Sequence, residues 1–259
     1  MNRNQYDGDI TIYSPQGRLY QIEYAMEAVK QGAACVGVRS DTDVVLATCM
    51  RTPSKLAEYQ RKLFRIDDHI GISIAGLTAD ARVLCKYMRR ETLNHRFVYE
   101  APLQTARLVR RVADKSQIHT QQMGRRPYGV GMLVAGYDRT GPHLFETCPS
   151  GNMFEFHAQA IGARCQSAKT YLERTYKEYP SLPLEELVRH AVRALRETTG
   201  RKTEPLNDEN LSIAVVGKDH TFRVLTKEET SAYLASIDDD AAPSTSSSVA
   251  DDTAAPMEE

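Results

Sequence analysis

The thiols and one serine in a glycine-flanked run are the side chains of this sequence best suited to covalent chemistry. The five cysteines, Cys35, Cys49, Cys85, Cys148 and Cys165, form no CxxC pair. An odd set of scattered thiols argues against a disulfide framework or a zinc knuckle and fits a reducing compartment. Gly71-Ile72-Ser73-Ile74-Ala75 approaches a nucleophile elbow, but its last position is Ala, and an alternating buried strand accounts for it better. The seven histidines lack metal-ligand spacing and no HExxH occurs, so neither a metal nor a cofactor is expected. Gly129-Val130-Gly131 opens a dinucleotide fingerprint that Val134 breaks, and Gly217-Lys218-Asp219 lacks the upstream glycine of a phosphate loop. Asn210-Leu211-Ser212 matches a glycosylation sequon, to which the absence of a visible secretory signal gives little weight. The arginine pairs at 89/90, 110/111 and 125/126 read as solvated or subunit-facing surface rather than a nucleic-acid patch.

The elements that must hold these residues follow from changes of hydrophobic period. Leu19, Ile22, Met26 and Val29 form a helical stripe over about 19–31 that needs a partner surface, with Gly32 suited to a left-handed stop. Cys35–Val38, Val44–Thr48 and His69–Ile74 read as strands. Thr78 can cap a helix to about Asn94, and Pro102 suits the first turn of the next, which carries Arg107, Arg110, Arg111 and Lys115. Gly129–Tyr137, His143–Thr147 and Asn152–Ala158 read as a second strand group, with DRTG at 138–141 as a hairpin turn. Helices over about Cys165–Tyr179 and Leu184–Thr198, a hairpin of Leu211–Val216 and His220–Leu225, and a short helix to Ile237 complete the order. Strands grouped as hairpins and helices grouped in pairs predict an α+β, four-layer α/β/β/α sandwich.

Composition sets the outer limits. The chain has 259 residues, 41% hydrophobic and 26% charged, which excludes fibrous and wholly disordered classes. The longest uncharged apolar stretch, around Val130–Tyr137, is far short of the roughly 20 residues of a membrane-spanning helix. A soluble intracellular protein is expected. Residues 238–259 carry seven acidic residues and no basic or aromatic ones, which predicts a disordered acidic tail after a single domain over 1–237. Taking those seven charges from the formal net of −1 leaves the body at +6.

The N-terminal block carries the most specific pattern: Tyr6-Asp7, then Thr11-Ile12-Tyr13-Ser14-Pro15-Gln16-Gly17-Arg18-Leu19-Tyr20-Gln21-Ile22-Glu23-Tyr24-Ala25. It resembles the signature of α-type subunits of the proteasome core particle. Lys62-Leu63 before Ile66-Asp67-Asp68, Gly76-Leu77-Thr78-Ala79-Asp80-Ala81-Arg82, Arg126-Pro127-Tyr128-Gly129-Val130, Ile161-Gly162-Ala163 and Tyr171-Leu172-Glu173 agree in order, over about residues 5–237. The resemblance implies an N-terminal-nucleophile (Ntn) hydrolase fold, with two antiparallel sheets between helix layers. It implies a seven-membered ring with other α subunits, stacked on β subunits, that supports ubiquitin-dependent protein degradation in cytoplasm and nucleus. Nucleic acid and membrane are not implied as partners.

In the catalytic β-type relatives an N-terminal threonine, freed after a glycine, attacks the peptide bond. The matching glycine here is Gly32, and the nucleophile position reads Ala33. The aspartate position matches Cys49, and the lysine position matches Lys62. Without a hydroxyl or thiol at Ala33, the resemblance implies a noncatalytic subunit. The alternative is an independent amidohydrolase of the same fold that uses Cys35 after processing.

Two site assignments come with the resemblance. Tyr6, Asp7, Pro15 and Tyr24 match the family's gate cluster, where phenols and a carboxylate around a proline turn orient an N-terminal segment. Plain packing of Tyr6 and Tyr24 stands beside that reading; the gate segment is 1–18, and the five residues before Tyr6 are expected to be too short for the main plug. Lys62, with Gly17 and Leu77, matches the pocket that takes the C-terminal tail of a regulatory ATPase or another activator. An ordinary surface lysine is its plain alternative.

Overall fold

The computed structural model describes residues 6–52, 54, 56–199 and 206–241, the last four by backbone alone. Strand β1 (Cys35–Arg39) is buried on both faces, which requires a layer on each side. Cys35 faces Leu133, Leu144 and Ala214, whereas Val36 and Val38 face Leu187, Ala191 and Leu195. The period of two thus points alternate side chains of one strand into two different cores.

The first sheet joins β1 to β2 (Asp43–Cys49), β8 (Ala158–Ile161), β9 (Leu211–Gly217) and β10 (Arg223–Val224), in the order β10-β9-β2-β1-β8. The second joins β3 (Leu63–Asp67), β4 (Ile70–Gly76), β5 (Val130–Asp138), β6 (Gly141–Thr147) and β7 (Met153–Glu155) in chain order. Every pairing is antiparallel. Helices α2 (Thr78–Tyr99) and α3 (Thr105–Ile118) cover the second sheet through Leu84, Met88, Leu108 and Val112. Helices α4 (Cys165–Thr175), α5 (Leu184–Thr198) and α6 (Lys227–Ala241) cover the first. The result is the four-layer α/β/β/α sandwich. No helix among the described residues is long and apolar enough to cross a membrane.

Helix α1 (Tyr20–Gln31) stands outside these layers and lies against β4 and β5. Ala25 is buried and Val29 fits over Gly131, so the stripe finds its partner in this chain's own sheet. Met26, from the same stripe, points outward and is 41% exposed.

Several expectations are corrected. Gly32 is extended, at φ −65° and ψ 152°, not left-handed. Its requirement is closeness, because a Cβ there would meet the Gly76 nitrogen at 2.2 Å. Thr78 does not cap α2; Leu77 occupies the cap position without a side-chain bond, and the helix runs on to Tyr99. Helix α3 begins at Thr105, three residues after Pro102, where Asp138 accepts the Thr105 N–H at 2.9 Å from outside the helix. The expected strand over 152–158 is two strands in different sheets. The chain crosses at Phe156-His157, with Phe156 N–H donating to Leu144 and the His157 carbonyl accepting from Arg39. Helix α4 stops at Thr175, before a 3-10 turn at Tyr179–Ser181. Only Arg223–Val224 of the run 220–225 pairs as strand. Strand β3 has no counterpart in the sequence reading. The backbone of α6 continues to Ala241, past the boundary expected at 237, and the acidic stretch 242–259 lies outside the described residues.

Candidate functional site

The end of α1 and the start of β1 meet the lysine in one corner. Gly32 turns the chain out of the helix, packs on Gly76 and accepts the Ala163 N–H at 2.7 Å. Ala33 follows, buried, with a methyl where a nucleophile would need a hydroxyl. Because α1 precedes it in the same chain, Ala33 also has no free amine to serve as a base. Lys62 is 6% exposed, and its Nζ donates to the Ala33 carbonyl at 3.5 Å. Cys49 supplies a partly buried thiol at the end of β2 in place of a carboxylate. Lysine and backbone of a hydrolytic site are in place, and the reacting atoms are not.

Cys35 does not rescue the chemistry. It is fully buried between the sheets, with Sγ donating to the Ile74 carbonyl at 3.1 Å. Burial pushes its thiol pKa up, against the opposing pull of the Lys62 ammonium. A thiol held protonated and sealed from solvent is no nucleophile, so the amidohydrolase alternative is overturned. Ser73 lies mid-strand in β4 at 0% exposure, which settles the elbow-like run as core. Among the described residues no cluster of histidine, cysteine, aspartate and glutamate could hold a metal ion.

Among the described residues the Lys62 ammonium has no carboxylate partner, and its side-chain hydrogen bond goes to a carbonyl. It borders a groove of about 610 Å³ that Glu58, Tyr59, Arg61, Asp208 and Glu209 also line. Leu77, 48% exposed, follows Gly76 and so borders the corner where Gly32 precedes Ala33. Gly17 is left-handed at φ +75° with open space where a side chain would stand. Its own hydrogen bond runs back to Ser14, and none joins it to Lys62 or Leu77 among the described residues.

The N-terminal cluster is partly assembled. Tyr24 Oη donates to Asp7 Oδ2 at 3.0 Å, and Gln21 Nε2 donates to the Asp7 carbonyl. Tyr20 stacks on Tyr24 at 6.4 Å between centroids, and Arg18 lies over Tyr20 while pairing with Glu23 at 2.5 Å. Pro15 sits at the second position of the Ser14–Gly17 turn, where its fixed φ is pre-set. Tyr6 is half-buried, and no hydrogen bond joins it or Pro15 to the Asp7–Tyr24 pair among the described residues. The sequence reading missed Gln21, although its spacing of three from Tyr24 puts both on one helix face.

Comparison with known proteins agrees with this geometry. The family model described as "Proteasome subunit" matches residues 29–216, and the N-terminal signature of A-type proteasome subunits matches residues 6–28. The alpha type-1 proteasome subunit of Dictyostelium discoideum is 53% identical over 234 residues, 90% of this chain and 94% of that protein. A probable alpha type-6 proteasome subunit of Schizosaccharomyces pombe is 51% identical, covering 92% of this chain and 88% of its own length. The alpha type-1 proteasome subunit of Drosophila melanogaster is 46% identical, with 91% and 85% covered. With the signature over the Asp7–Tyr24 segment, and with alanine where a nucleophile would stand, the chain belongs to the proteasome subunit family as a noncatalytic α-type member.

Proposed function

We propose that this subunit is a structural and gating member of a seven-membered α ring, assembled with other α subunits and stacked on proteasome β subunits. Membership in the family entails assembly with other proteasome subunits. In this reading the Tyr6, Asp7, Pro15 and Tyr24 segment orients the chain end at the ring's opening and so controls substrate entry. The α-type domain runs to the end of α6 at Ala241, and the acidic stretch beyond it is a tail. Its setting is ubiquitin-dependent degradation in cytoplasm and nucleus.

Lys62, with Leu77 and Gly17, receives the C-terminal carboxylate of a docking activator. One observation carries this assignment: a buried ammonium whose partner among the described residues is a carbonyl, beside an alanine that leaves it no catalytic task. Burial of an unpaired cation is costly, and an incoming carboxylate would relieve that cost. An ammonium on a flexible stem can meet a carboxylate without a fixed approach angle. Such a charge-assisted bond contributes about 1.5–3 kcal/mol, modest alone and larger when repeated around a ring. The test is crosslinking of an activator tail to this subunit in assembled particles, wild type beside Lys62→Ala and Lys62→Arg. Loss with alanine and partial retention with arginine are expected. Equal yield from wild type and Lys62→Ala removes Lys62 from the site.

A further inference from the structure

Leu77 owes its placement to residues far away in sequence. Asp80, in the first turn of α2, takes Arg126 in a two-pronged pair, with Oδ2 accepting from Nη1 at 2.6 Å and Oδ1 from Nη2 at 2.9 Å. The same Oδ2 accepts the backbone N–H of Gly129 at 2.9 Å. The Gly129 carbonyl in turn accepts the N–H of Leu77 at 2.8 Å. Gly129 is also the floor on which the leucine rests, since a Cβ there would lie 2.8 Å from Leu77 Cδ1. One carboxylate therefore ties the 124–129 loop to the start of α2 and fixes the leucine between them. Arg126 also donates to the Pro127 carbonyl at 3.1 Å, which stiffens the loop on its own side. The arginine beside it holds the Asp80 carboxyl below its usual range, so the pair stays ionised in neutral solution.

We infer that Asp80 and Arg126 are a positioning pair that holds Leu77 as the apolar contact for the penultimate residue of a docked activator tail. This rests on the Lys62 pocket proposed above and divides the work within it. Lys62 recognises the terminal carboxylate, and the Asp80–Arg126 pair sets the apolar contact next to it. Neither Asp80 nor Arg126 need touch the tail. A two-pronged guanidinium–carboxylate pair suits such a role, because it fixes orientation as well as distance. Its exposed side, Arg126, is open to substitution without disturbing the core, as that side chain is 63% exposed.

The test uses assembled core particles carrying Arg126→Gln, Asp80→Asn or Lys62→Ala, and heptapeptide probes with an N-terminal photo-crosslinker. The probes differ in two ways: leucine or alanine at the penultimate position, and a free or amidated C-terminus. Wild-type particles should prefer leucine over alanine by about fivefold, a ratio set by partial burial of the side chain. Arg126→Gln and Asp80→Asn should bring that ratio close to one while keeping the preference for a free carboxylate. Lys62→Ala should do the reverse. If Lys62→Ala loses the carboxylate preference but Arg126→Gln and Asp80→Asn keep the leucine preference, the positioning pair is wrong and the pocket stands. Wild-type behaviour of Lys62→Ala overturns the pocket itself. Equal weakening of all four probes by Arg126→Gln reduces the pair to general support of the fold and also overturns the inference.

Discussion

Gly32 and Gly76 are in backbone contact, at the seam where α1 hands the chain to β1. A methyl group on Gly32 would fall 2.2 Å from the Gly76 nitrogen, and the nearest atoms are all backbone of Ala75 and Gly76, which leaves nothing flexible to yield. Overpacking of this kind costs about 3 kcal/mol. Gly32→Ala should therefore sharply lower incorporation of the subunit when it competes with wild type in cells. Gly8→Ala, with open space around it, should incorporate normally. Equal incorporation of Gly32→Ala and wild type would show that the seam can open.

Cys35 should resist alkylation. Its thiol is fully buried and its pKa is raised by that burial, so both access and thiolate are lacking. Iodoacetamide treatment of native particles, followed by peptide mass mapping, should leave Cys35 unmodified, and unfolding in denaturant should expose it. Rapid labelling in the native state would reopen the question of a reactive thiol in this chain.

The Asp7–Tyr24 bond joins two residues of the proposed gate cluster. Asp7→Ala removes the acceptor for a bond with a net worth of about 1 kcal/mol. Activator-stimulated peptide hydrolysis by assembled particles should fall, while labelling of the β active sites by a covalent probe stays unchanged. Identical basal and stimulated rates would detach these residues from gating.

His143 links three strands through charge. Its Nδ1 is 2.8 Å from Glu155 and its Nε2 is 3.2 Å from Asp138, so only a doubly protonated ring can donate to both carboxylates. These neighbours, Asp138 first, raise its pKa above the ordinary 6.5, and burial opposes them only in part. Arg39 from the other sheet also pairs with Glu155, at 2.7 Å. A raised histidine contributes stability that is fully present below its unfolded pKa and is lost as pH rises through the folded value. His143→Gln should cost about 1 kcal/mol below pH 6 and progressively less toward pH 9. Urea unfolding across that range is the check, and a cost independent of pH would assign the ring a packing role only.

What could be read from the sequence divides by the range of the interaction. Leu184–Thr198 was legible to the residue because its apolar positions repeat with helical period and Pro183 precedes it. The sandwich followed from strand and helix grouping. The change of sheet at Phe156-His157 was not legible, since both halves of that run look like strand and the break is made by pairing with Leu144 and Arg39. The conformation of Gly32 is not legible locally, because its role is a contact 44 positions away. Among site residues, Asp7 and Tyr24 came with the N-terminal pattern. That Lys62 is buried came only from the fold, as did the Asp80–Arg126 pair across 46 positions, which no local pattern encodes.

As an α-type subunit, this chain should work as an uncleaved, noncatalytic member of a larger ring. Native mass spectrometry of the endogenous protein, with the subunit then ejected and its intact mass measured, decides this in one experiment. The expected result is a large proteasome particle that releases a chain still carrying the residues before Ala33. A free monomer, or a chain beginning at Ala33, would show that it does not.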